Sequence, residues 1–147
     1  MEAYRPAATG AWHTVLPDGY YHQHLLWHLK ESGYVKEVEA LLLDFRWLVA
    51  RLQASDVWGV LSDCALCPDN RAVEVLCQAL NLSLDALCSD KAQVAGQILG
   101  RLTGFRVPEL QKLVEAARDY RSTPWLRPLN GNVIRCELER LRRWKWE

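Results

Sequence analysis

Three histidines near the N-terminus, His22, His24 and His28, are the first residues whose type and spacing suggest chemistry. His24 and His28 lie one helical turn apart, a spacing at which two imidazoles can share a Zn²⁺ ion. His22 lies about 160° around the same helix from His24, so it cannot join them. Leu25 stands where an HExxH motif has its glutamate. The sequence therefore favours histidines at the edge of a helix interface, and no metal is predicted.

The cysteines suggest a second candidate chemistry, because Cys64 and Cys67 form a CxxC motif. A four-cysteine zinc site usually contains two close pairs, whereas Cys77 and Cys88 are separated by ten residues. A thioredoxin-like redox role needs a βαβ context that the sequence does not show. Cys64, Cys77 and Cys88 also fall on apolar helix positions, where cysteine behaves as a small hydrophobe. These four and Cys136 are therefore predicted to be free thiols in a reducing cytoplasm.

No other pattern indicates catalysis. The acidic pairs Glu37/Glu39 and Glu137/Glu139 sit beside basic residues, as on solvated helix faces. The chain contains no GxxxxGK[ST] loop and no GxSxG elbow. Its N-terminus has no apolar run typical of a signal peptide, and no apolar segment approaches the ~20 residues that cross a bilayer. We predict a protein that is not an enzyme and binds no cofactor.

Tryptophan is the unusual component, with seven in 147 residues. Trp47 lies off the apolar stripe of its helix, with Arg51 one turn further on. This predicts either an exposed cation–π pair, worth ~0.5–1 kcal/mol, or a second packing surface. The basic and aromatic tail over 133–147 is an alternative site for an anionic partner. Because the formal net charge is zero, neither nucleic acid nor a membrane is expected as a partner.

Short amphipathic helices must position these residues. The stretch 20–52 shows the i, i+3, i+4 spacing of three helices, and almost no segment alternates as a strand does. Asp18, Asp44 and either Ser55 or Asp56 are candidate N-caps, and Gly33 suits a helix C-terminus. Further apolar stripes are predicted at Val35/Val38/Leu42, Phe45/Leu48/Val49/Leu52, Leu84/Leu87/Cys88, Val94/Ile98/Leu102 and, after Pro108, Leu110/Leu113/Val114/Ala117. The predicted fold is all-α, an irregular array of short packed antiparallel helices without a sheet.

Changes in composition predict three parts of the chain. Residues 1–17 look irregular because they contain Pro6, Gly10 and Pro17. Residues 18–129 form the helical domain, and residues 130–147 form the tail. At 147 residues the chain is long enough to bury one core.

Two segments of the first helices, HLLWHLKESG at 24–33 and LLLDFRWLVARL at 41–52, resemble the helical linker domain of apoptosome-type switch ATPases. These are apoptotic protease-activating factor and its NB-ARC or NACHT relatives. QILGRL at 97–102 and TPWLRPL at 123–129 look like closing segments of the same domain. The resemblance covers about residues 18–129.

The resemblance implies a scaffold without catalytic residues, which joins a nucleotide-binding region to WD-repeat propellers. The partners it implies are proteins, either neighbouring domains or another chain. It carries over only packing and interaction residues: Leu25, His28, Leu29, Leu42, Phe45, Trp47, Leu48, Trp125 and Leu126. Because the 147 residues contain neither a P-loop nor WD repeats, they are expected to be a fragment or a detached relative. A zinc- or thiol-dependent helical protein that uses His24/His28 or Cys64/Cys67 is the alternative.

Overall fold

Eight α-helices and one 3-10 turn follow one another along the part of the chain that the structure, a computed structural model, describes, residues 20–120. Those residues contain no β-strand, so the all-α prediction is confirmed for them. The elements are α1 (Tyr21–Glu31), α2 (Val35–Leu42), α3 (Phe45–Ala54), α4 (Val57–Cys64), α5 (Arg71–Asn81), α6 (Leu84–Ser89), the 3-10 turn (Lys91–Gln93), α7 (Val94–Leu102) and α8 (Pro108–Asp119).

Short polar side chains start several of these helices, as the sequence predicts. The Asp44 carboxylate accepts a 2.8 Å hydrogen bond from the Arg46 amide at the start of α3. Asp56, rather than Ser55, caps α4 by accepting from the Gly59 amide at 2.8 Å. Each bond satisfies an amide that has no partner within the helix, which is typically worth about 1 kcal/mol. The caps fix where the chain turns between α2, α3 and α4.

The boundaries of α1 agree with the prediction at one end and differ at the other. Gly33 follows the helix with φ = +83°, a left-handed conformation that glycine adopts without the steric cost of a Cβ. At the N-terminus the capping position is Tyr20, with no side-chain capping bond, and not the predicted Asp18. Asp18 itself lies outside the described residues.

Helix α3 is the central element of the described structure. It packs against α1, α2, α4 and α8, so neighbours surround most of its circumference. The predicted stripe of Phe45, Leu48, Val49 and Leu52 is buried, and Trp47 and Arg51 on other sides of the helix are buried too. Of the two alternatives for Trp47, the exposed cation–π pair is therefore wrong, and the indole lies in a second packing surface of the helix.

The later helices close the core around α3. Helix α5 packs on α4 and α7, and α7 packs on α8, which returns to α3. Pro108 is the first residue of α8, as predicted, where its missing amide hydrogen costs nothing. The stripes of α7 and α8 are buried as predicted, namely Val94, Ile98, Leu102, Leu110, Leu113, Val114 and Ala117.

Two of the shorter apolar stripes that the sequence predicts are only partly buried. Val35 is 40 % exposed because it is the first residue of α2, beyond the reach of α1 and α3. In the six-residue α6, Leu87 is buried, Leu84 is half-buried and Cys88 is exposed. Both exposed residues lie near an end of a short helix, Val35 at the start of α2 and Cys88 in the last turn of α6.

Candidate interaction surface

The outer side of α1 carries a continuous row of aromatic rings, which we call the α1 aromatic patch: Tyr20, His24, Trp27 and His28. The Tyr20 ring lies 4.2 Å from the His24 ring and 6.0 Å from the His28 ring, centroid to centroid. The Trp27 indole meets the His28 ring edge-on at 4.9 Å. Because residues 20, 24, 27 and 28 share one helical side, these rings form a single surface.

The patch is accessible because the opposite side of α1 supplies the packing. Leu25, Leu26 and Leu29 are buried against the core, whereas the Trp27 side chain remains 51 % exposed. At the turn into α2, Tyr34 adds a further aromatic ring that is 53 % exposed. An indole held half in solvent offers a large apolar area that needs no rearrangement before it contacts a partner.

His24 and His28, which the alternative hypothesis assigned to zinc, form part of this patch. The Nε2 atom of His28 shares a 2.9 Å hydrogen bond with the Tyr20 hydroxyl. The ring of His24 packs beside the Tyr20 ring at an interplanar angle of 35°. In the part of the chain that the structure describes, no three His, Cys, Asp or Glu side chains are placed to hold one metal ion. Both histidines contact neighbouring aromatic rings, His24 that of Tyr20 and His28 those of Tyr20 and Trp27.

Behind the patch, a second set of rings joins α1 to α3. The His22 ring stacks on the Trp47 indole at 5.3 Å with an interplanar angle of 25°. Tyr21 meets the same indole edge-on at 6.2 Å. All three side chains are buried, and burial raises the pKa of the Tyr21 phenol. This stack fixes α1, and hence the patch, on the central helix.

A buried ion pair joins α3 to α4 on the next side of the core. Nε of Arg51 donates to a carboxylate oxygen of Asp63 at 2.6 Å, and both side chains are almost fully buried. Nη1 of Arg51 also donates to the Ser55 hydroxyl. The backbone carbonyl of Ser55 accepts a hydrogen bond from Nζ of Lys91. Burial raises the pKa of the Asp63 carboxyl, and the Arg51 guanidinium opposes that shift. The network links α3, α4 and the 3-10 turn.

Gly59 leaves room for this guanidinium. A Cβ atom at position 59 would lie 2.9 Å from Nη2 of Arg51 and 2.9 Å from Oγ of Ser55. We expect Gly59→Ala to lower the free energy of unfolding by about 1–2 kcal/mol, because overpacking exceeds the gain of about 1 kcal/mol in helix propensity. Urea denaturation followed by circular dichroism measures the loss. The exposed Ser62→Ala on the same helix is the control, and a stabilised Gly59→Ala protein would contradict the prediction.

The residues that the family resemblance proposed for packing and interaction fall into three groups. Six of them are core residues, buried on α1, α2 and α3: Leu25, Leu29, Leu42, Phe45, Trp47 and Leu48. His28 belongs to the α1 aromatic patch. Trp125 and Leu126 lie outside the described residues. The sequence analysis does not select Trp27, Tyr20 or Tyr34. The count of seven tryptophans, more than so small a core holds comfortably, is the one signal that points to an exposed aromatic surface.

The CxxC motif does not bring two accessible thiols together. Cys64 and Cys67 are both buried, each only 4 % exposed. Burial raises the pKa of the Cys67 thiol, with Glu39 adding to the shift and Lys30 and Lys36 opposing it. The Cys77 thiol on α5 and burial both raise the pKa of the Cys64 thiol.

Comparison with known proteins agrees with the resemblance over the first half of the molecule. Residues 5–70 match the family model described as the APAF-1 helical domain, a range that contains α1 to α4, the α1 aromatic patch and the buried ion pair. The similar segment at 97–102 lies beyond this match. No curated protein and no solved structure matches the chain significantly. Within the described residues, no helix is long and apolar enough to cross a membrane.

Proposed function

We propose that this chain, whose residues 5–70 match the APAF-1 helical domain, is a non-catalytic cytoplasmic scaffold that joins folded protein domains. In this proposal its partners are a nucleotide-binding region and a WD-repeat region, either in the same polypeptide or in another chain. The helices keep those partners in a fixed arrangement, and α1 presents the surface that one of them contacts.

The observation that carries the proposal is the α1 aromatic patch. The patch lies within the family-matched range. Its Trp27 side chain is half exposed, whereas Trp47 on the neighbouring helix is buried in the core. Tryptophan and tyrosine are enriched at the energetic centres of protein interfaces, where a large rigid ring becomes buried at little conformational cost. A continuous row of such rings favours a protein partner, because the patch supplies apolar area and few charges.

The packing behind the patch supports a role in transmitting position. The patch is on α1, α1 is tied to α3 by the His22–Trp47 stack, and α3 packs directly against α8. Protein interiors are packed densely, so a displacement at α1 must move or strain α3. A spacer that keeps two domains in a fixed arrangement requires this rigidity.

Photo-cross-linking tests the proposal. A photoreactive phenylalanine analogue replaces Trp27 in the full chain, expressed in its cell of origin, and the linked species are identified by mass spectrometry. We expect links to a segment that contains a P-loop ATPase or WD repeats. The control places the same analogue at the exposed Lys112 on α8. Equal products from both positions, or links only to lipid or nucleic acid, would overturn the proposal.

A further inference from the structure

One carboxylate lies on the exposed side of α1, at the C-terminal end of the α1 aromatic patch. Glu31 is the last residue of α1, and its side chain is exposed. Successive residues of an α-helix are turned by about 100°, so in a projection down the axis Glu31 lies about 40° from Trp27 and about 20° from His24. A formally negative group therefore shares the side of the helix that carries the rings.

The local neighbours of Glu31 are rings rather than a counter-charge. Side chains three and four positions apart are neighbours on a helix surface. At those separations from Glu31 the chain has no lysine or arginine, but Trp27, His28, Tyr34 and Val35. In the part of the chain that the structure describes, no ion pair includes Glu31. Its charge is therefore available to a cation from outside the helix.

A surface glutamate of α5 shows what this position lacks. Arg71 stands three residues before Glu74, and Nη1 of the arginine lies 2.7 Å from a carboxylate oxygen of the glutamate. His28 holds the corresponding position before Glu31. Its Nε2 atom shares a 2.9 Å hydrogen bond with the Tyr20 hydroxyl instead. The basic partner that the helix of Glu74 supplies is thus missing from the helix of Glu31.

The end of α1 adds to the negative potential around Glu31. The aligned peptide dipoles of a helix place a partial negative charge at its C-terminus, where cations are stabilised. Lys30 is in the same turn, but it is half-buried and lies about 100° around the axis from Glu31. A cation that reaches the carboxylate from the exposed side therefore also interacts favourably with the helix end.

Trp27 supplies the second element of a cation site. Its indole is 51 % exposed and precedes Glu31 by one helical turn. The face of an indole attracts cations more strongly than the face of a phenol or a phenyl ring does. A planar guanidinium can stack on such a ring while its N–H groups donate to a carboxylate, whereas the ammonium of lysine is a compact point charge. The two side chains together therefore favour arginine over lysine.

We propose that the protein partner of the α1 aromatic patch contributes an arginine whose guanidinium stacks on the Trp27 indole and pairs with the Glu31 carboxylate. This inference rests on the proposed function, because it names the chemistry of the partner at the same surface. Arginine, like tryptophan and tyrosine, is enriched among the residues that dominate interface energies. The other rings of the patch surround the pair and exclude water from it, which strengthens the attraction between cation and ring.

Photo-cross-linking from a position beside the site tests this assignment. The photoreactive phenylalanine analogue now replaces Tyr34, which is 53 % exposed, so that Trp27 and Glu31 both stay in place. We expect Glu31→Gln to lower the yield of linked partner at least about threefold, because it removes the charge and keeps the shape. Trp27→Leu should lower it by a similar factor, because it keeps an apolar side chain and removes the ring face.

The matched control is Glu115→Gln on α8, which removes the same charge from another exposed glutamate and should leave the yield unchanged. Links to a P-loop or WD-repeat segment that persist undiminished in Glu31→Gln would overturn the arginine assignment and leave the scaffold proposal standing. A loss in Trp27→Leu alone would show apolar contact and would overturn the assignment as well. If the unchanged chain gives no protein links, both proposals fail.

The linked segment provides the reciprocal test. Each of its arginines is replaced by lysine in turn, and its binding to the purified 147-residue chain is measured by titration calorimetry. One Arg→Lys change should weaken binding to the unchanged chain at least about threefold. The same change should have little effect on binding to the Glu31→Gln chain, because both substitutions disrupt one contact. Equal losses with both chains, or no loss for any arginine, would overturn the assignment.

Discussion

Replacing Trp47 by alanine is expected to lower the free energy of unfolding by about 3–5 kcal/mol, the range for deleting a large aromatic ring from a core. The indole is 1 % exposed and is the largest of the fully buried side chains. Its loss leaves a cavity and removes the partner on which His22 stacks and which Tyr21 meets edge-on. The change should appear in urea denaturation as a lower midpoint.

Trp27→Ala is the matched control, because it removes the same side chain from the neighbouring helix where the indole is half exposed. We expect it to change stability by less than about 1 kcal/mol, since few of its contacts are buried. If the scaffold proposal is correct, the same variant should weaken partner binding at least about tenfold, as loss of a central interface residue does. Similar stability losses for both variants would contradict the distinction between core and surface tryptophans.

The contrast between these two tryptophans shows what the periodicity of apolar residues can and cannot predict about burial. Periodicity identifies the side of each helix that is most apolar, which is why the helices and most stripes were predicted correctly. Trp27 and Trp47 both lie away from the main stripe of their own helix. One is exposed and the other buried because α1 has neighbours on one side, while α3 has neighbours nearly all around it. How many helices pack around a given helix depends on the tertiary fold, so the apolar stripe of that helix alone cannot predict it.

Local and long-range features of the candidate sites differ in the same way. Asp44, Asp56 and Gly33 could be assigned because a helix boundary depends on a few adjacent residues. The burial of both CxxC thiols, Cys64 and Cys67, could not be assigned, since it depends on the helices that pack around them.

Asp63→Ala is expected to cost about 3–5 kcal/mol of unfolding free energy, the range for removing one partner of a buried ion pair. The variant leaves the Arg51 guanidinium buried without its carboxylate, in a space that Gly59 and Ser55 enclose. Asp63→Asn should cost less, because the amide oxygen still accepts a hydrogen bond from Nε of Arg51 and burial already disfavours the charged carboxylate. Chemical denaturation of the three proteins at one pH gives the comparison.

Two further variants decide whether the loss comes from an uncompensated charge. Lys36→Ala breaks the exposed Lys36–Glu39 pair, whose lysine side chain is 93 % accessible, and should change stability by no more than about 0.5 kcal/mol. Replacing both buried partners, Arg51→Met with Asp63→Leu, should recover most of the stability that Asp63→Ala loses, because an apolar pair needs no counter-charge. A double variant as unstable as Asp63→Ala would show instead that the hydrogen bond of Arg51 to Asp63 holds α3 against α4, independently of charge.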